Sequence, residues 1–105
     1  MNDIEFESNF KFKISQERKI TNEILQMINQ AEDRRIHLKR GFSSLFTWLV
    51  GFGYSESAAY RRIEAARQIR AVPSIAEKLQ TGELNLTTVT KARSAMKALP
   101  SDRRA

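Results

Sequence analysis

The chain has no cysteine among its 105 residues. That excludes a disulfide framework, a thiolate zinc site and a cysteine nucleophile. Histidine occurs once, at His37. A single histidine makes a poor metal site or acid–base catalyst, and this one reads as a surface residue beside a basic cluster. No run approaches the roughly 20 consecutive apolar residues that span a bilayer, so no membrane partner is expected. The opening MNDIEFESNF is acidic and lacks the basic head and apolar block of a secretory signal, which predicts a cytoplasmic protein. Prolines number two and glycines four, few enough for each to punctuate the chain.

What is abundant is charge, and it is unevenly placed. The net charge is +6. Residues 1–33 carry −3, residues 34–70 carry +6 and residues 71–105 carry +3. Clustered basic side chains favour polyanionic partners through phosphate neutralisation and counterion release. The same cluster can equally be a solubilising surface. Asp3, Glu5 and Glu7 form an acidic group, but on a chain terminus they read as solvated.

The periodicity predicts an all-α fold of about five helices in a small bundle. Phe10-Lys11-Phe12-Lys13-Ile14 alternates like a strand. With no second strand in sight, residues 1–14 are expected to form an extended arm or frayed helix start. Its aromatics would dock on the core or pair with the same arm in a second copy. Ser15 is a good N-cap with Glu17 in the following turn. Ile20, Ile24, Met27, Ile28 and Ala31 then recur at helical spacing, and Gly41 should stop this first helix near Lys39-Arg40. Ser43 or Ser44 caps a second helix rich in Leu45, Phe46, Trp48, Leu49 and Val50, ended by Gly51-Phe52-Gly53-Tyr54. A third, opened by Ser55 or Tyr54, runs through about Arg70. Pro73 starts a fourth that Gly82 ends, and Asn85 caps a last one reaching Leu99-Pro100. The helical domain is thus expected over 15–99, with 100–105 a linker or truncated tail.

Two helices joined by a short glycine turn, the second of them basic, describe a helix-turn-helix. Leu49, Gly53, Tyr54 and Ala59 fill the spacing such motifs favour. At 100° per residue, Ala59, Ile63 and Ala66 form the buried stripe of the second helix, with Ser57, Arg61, Glu64 and Gln68 opposite. Recognition helices present their N-terminal residues to bases, which makes Ser55, Ser57, Tyr60 and Arg61 the base-edge candidates. Lys39, Arg40, Arg62, Arg67 and Arg70 are the phosphate candidates. Arg61 and Arg62 can instead pair with Glu56 or Glu64 on a solvated face, and Trp48 reads as core. No catalytic residue, cofactor or metal site is evident.

The ordered phrases from Glu17 to Ala92, among them RGFSSLFTWLV (Arg40–Val50), GYSESAAYRRIEAAR (Gly53–Arg67) and VPSIAEKLQTGELNLTTVTKA (Val72–Ala92), resemble the N-terminal helical region of bacterial HNH endonuclease-like proteins. More distantly, the stretch from Ser55 is similar to the helix-turn-helix of ParB-type partition proteins. The resemblance implies a DNA-binding domain, nuclease-associated or a stand-alone regulator, with double-stranded DNA as partner. The nuclease centre of that family needs several metal-holding side chains, and one histidine cannot supply them, so no catalysis is expected. A homodimer formed through the first helix or the arm would address successive major grooves. The alternative is a helical interaction or dimerisation module whose basic surface meets an acidic partner.

Overall fold

In a computed structural model, residues 2–91 are described, and among them are six helices and no strand. The first, α1 (Asp3–Arg34), is 32 residues long, about 48 Å at 1.5 Å per residue. It starts twelve residues before Ser15. The Asn2 side chain accepts from the Glu5 N–H at 2.8 Å, and Asp3 and Glu5 lie in the first turn, where the helix dipole favours acid. The arm over 1–14 is therefore helical from Asp3, not extended. A lone strand would leave its backbone groups without partners, whereas a helix satisfies its own. Phe6, Phe10 and Ile14 also recur every four residues, so the alternating run sits equally well on a helical stripe. Nor do its aromatics dock on the core: Phe6, Phe10 and Phe12 are 62%, 58% and 60% exposed.

The expected stop at Gly41 holds, with a break before it. Arg35 adopts the left-handed conformation at φ 53°, and its N–H donates to the carbonyls of Ala31 and Glu32. A single further turn, α2 (Ile36–Lys39), follows and leads to Gly41 at φ +90°. Helix α3 (Leu45–Gly51) is capped by Ser44, which exchanges hydrogen bonds with Thr47 in a capping box. Gly53, at φ +106°, turns the chain in a conformation that a side chain would oppose. Ser55 then caps α4 (Glu56–Ala71) by accepting from the Ala58 N–H at 3.1 Å. Helix α5 (Ser74–Thr81) begins behind Pro73 and ends at Gly82, φ +87°. Asn85 accepts from the Thr88 N–H at 2.8 Å and opens α6, described over 86–91. The expected end of that helix at Leu99-Pro100 and the tail 100–105 lie outside the described residues.

Helix α4 is central and packs on α1, α3 and α5. Ala59, Ala65 and Ala66 are fully buried with Leu25 of α1, while Ile28, Leu45, Leu49, Ile63, Ile69 and Leu79 complete the surround. Small side chains on α4 let its neighbours approach closely. Two amides of α1 seal the contact: Asn29 Nδ2 donates to the Ala66 carbonyl at 2.9 Å, and Asn22 Nδ2 to the Ala76 carbonyl at 2.9 Å. Trp48 is half-buried against the core, edge-on to Phe52 at 5.2 Å. No helix among the described residues is long and apolar enough to cross a membrane.

Candidate nucleic-acid interface

The N-terminus of α4 follows from local chemistry. Gly53 supplies the positive φ of the turn and Ser55 the cap, while the buried Ala59/Ile63/Ala66 stripe fixes which way the helix faces. Ser55 and Ser57 are exposed with their hydroxyl oxygens 3.5 Å apart, and Tyr60 is 42% exposed one turn on. Those three share the open end of the helix.

Arg61 is set apart from them. It is half-buried and lines a cleft of about 550 Å³ with Arg62, with Glu17 and Arg18 of α1, and with Leu79, Leu84 and Asn85. The Arg18 side chain reaches the Thr81 carbonyl at 3.4 Å. Three arginines and one glutamate from two helices thus line one opening. Tyr60, while exposed, also borders a second cavity of about 330 Å³ lined by Glu32, His37, Glu64 and Arg67. The base-edge candidates are therefore divided between two sides of α4.

The phosphate candidates also fall into groups. Lys39 and Arg40 are exposed and form no ion pair among the described residues. The Arg62 guanidinium lies 4.5 Å from the centre of the Tyr54 ring and donates to the Ala58 carbonyl at 3.1 Å, so it is anchored within the fold. Arg67 sits between Glu32 and Glu64, 3.6 Å from each. Arg70 lies 3.1 Å from Asp33 and donates to the Asn29 carbonyl at 2.9 Å. Two carboxylates of α1 thus already partner two of the five basic groups.

Two sequence readings are overturned here. Glu64, placed on the outer face, is 4% exposed, because α4 is covered on more than one side by α1 and α3. His37 is no surface residue: it is 8% exposed and shares its cavity with Glu32 and Glu64. The break at Arg35 places it there, by reorienting α2 after α1 ends. Arg18, Glu32 and Asp33 enter the site without having been singled out. Their partners are distant in sequence, and only the Glu64–Arg67 spacing of three residues was a readable signal.

Comparison with protein-family models, with curated proteins and with solved structures finds no match to this chain.

Proposed function

We propose that the chain is a double-stranded DNA-binding domain in which α3, the turn at 52–55 and α4 act as a helix-turn-helix. The observation that carries this reading is the open end of α4. Ser55, Ser57 and Tyr60 stand exposed directly behind the Gly53 turn, on a helix whose small buried stripe seats it against the scaffold. Hydroxyl and phenol groups at that position can meet base edges. Lys39 and Arg40, in no ion pair among the described residues, supply charge for phosphates, and Arg18, Arg61 and Arg62 can hold a phosphate oxygen in the cleft they line with Glu17. The motif resemblance to the helical region of HNH endonuclease-like proteins agrees, and casts the domain as nuclease-associated or a regulator without catalysis of its own.

A gel shift on random duplex DNA at low and moderate salt tests it. Retardation that weakens steeply with salt supports the reading. No retardation at low salt overturns it in favour of a second reading, a helical interaction or dimerisation module, for which the exposed phenylalanines of α1 speak.

A further inference from the structure

Residues 3–20 of α1 are all exposed except Ile14, which is half-buried. The bundle begins to hold the helix at Ser15, whose carbonyl accepts from Gln80, and at Arg18. The first three turns therefore project without tertiary support. They carry Phe6 and Phe10, whose rings stack with centroids 6.4 Å apart. An unsupported helical segment of this length is marginal in water, since most helical stability in proteins comes from packing of an apolar face.

That face is a regular one. Phe6, Phe10, Lys13, Glu17, Ile20 and Ile24 follow one another at alternating spacings of four and three, the repeat of a helix–helix seam. Met27 extends it and is 64% exposed; Ile20 is 56% exposed. Read from the opposite end, the seam keeps its apolar pairs and exchanges lysine for glutamate at its centre, so two antiparallel copies are complementary in charge. We propose that α1 pairs antiparallel with α1 of a second copy of this chain, Lys13 of each opposite Glu17 of the other. The register sets Phe10 against Ile20 and Phe6 against Ile24, with the two-fold axis level with Ser15.

The charges choose this arrangement. Lys13 and Glu17 are exposed and form no ion pair among the described residues, and Glu17 also lines the cleft of Arg18, Arg61 and Arg62. A parallel pair would stack lysine on lysine and glutamate on glutamate, which is unfavourable. The antiparallel pair joins opposite signs twice, in an isologous two-fold contact. It also brings Phe6 of the second copy to an open apolar groove of about 500 Å³ walled by Ile24, Met27, Trp48 and Phe52. One end of the helix thus supplies aromatic side chains and the other end the recess to receive them.

The pairing rests on α1 as an interaction surface and does not depend on DNA binding, so it is measured without DNA. Sedimentation velocity of the full chain should show a concentration-dependent dimer. Lys13→Glu and Glu17→Lys should each weaken dimerisation by about tenfold, because each replaces two opposite-charge contacts by like-charge ones. An equimolar mixture of the two variants should regain the wild-type affinity. With no native cysteine to interfere, chains carrying Phe10→Cys should form a disulfide with chains carrying Ile20→Cys, and not with themselves. Circular dichroism establishes that each variant is folded. A wild-type chain that stays monomeric at several hundred micromolar overturns the proposal. So does self-linking of Phe10→Cys, or charge variants that dimerise as well as wild type, since those mark a parallel pair.

Discussion

The Arg70 guanidinium ties the end of α4 to α1 by two acceptors one turn apart, the Asp33 carboxylate at 3.1 Å and the Asn29 carbonyl at 2.9 Å. The pair is solvent-facing, with side chains 45% and 62% exposed, so its contribution to stability is small, about 0.2–1 kcal/mol. It also withholds part of the Arg70 charge from any polyanion. Asp33→Asn should lower the urea midpoint slightly and, if the domain binds DNA, tighten that binding by releasing the guanidinium. A folded Asp33→Asn variant with unchanged or weaker DNA affinity would assign Arg70 to the fold alone.

The turn before α4 makes a sharper demand. Gly53 holds φ at +106°, with open space where a Cβ would sit, so strain alone opposes substitution. Gly53→Ala should cost roughly 1–2 kcal/mol, read as a lowered midpoint in chemical denaturation. A neutral outcome would mean that the turn relaxes without disturbing α4.

Burial and exposure separate along α1. Leu25 is fully buried beneath α4, and Leu25→Ala should destabilise by about 2–5 kcal/mol. Phe12, off the proposed pairing seam and 60% exposed, should tolerate alanine within about 0.5 kcal/mol. Thermal unfolding of the two variants side by side checks the contrast, and equal losses would contradict the described packing of α1.

Much of this layout was legible because it is local. Ser44, Ser55 and Asn85 cap helices, and Gly41, Gly53 and Gly82 take positive φ, for reasons contained within a few residues. The buried Ala59/Ile63/Ala66 stripe was legible from spacing alone. Glu64 was misplaced because a single-stripe reading assumes one buried face, whereas α4 is the central helix and is covered from several directions. The ion pairs of Arg67 and Arg70 with Glu32 and Asp33 join positions more than thirty residues apart, beyond any local rule. The five-residue alternation masks the period-four stripe Phe6/Phe10/Ile14, so periodicity alone starts the first helix at Ser15 and not at Asp3. The capping Asn2 and the acidic first turn were the signals that could have corrected it.

Within the proposed interface, Arg61 should behave differently from its neighbours. It borders the arginine cleft, while Ser57 and Tyr60 stand on the open end of α4. Arg61→Ala should weaken binding to all duplex sequences alike, and Ser57→Ala or Tyr60→Ala should broaden the set of sequences bound. Selection from a randomised duplex pool measures this, and a sequence preference lost only in Arg61→Ala would return that residue to the base-edge set.

The DNA-binding reading itself is tested most directly by the salt dependence of affinity, measured by fluorescence anisotropy on one labelled duplex. The slope of log K against log salt should be steeply negative for the wild type. Lys39→Ala combined with Arg40→Ala should reduce it by about two, one for each phosphate contact removed. A flat wild-type slope, or no binding at low salt, would contradict the reading of this chain as a DNA-binding domain.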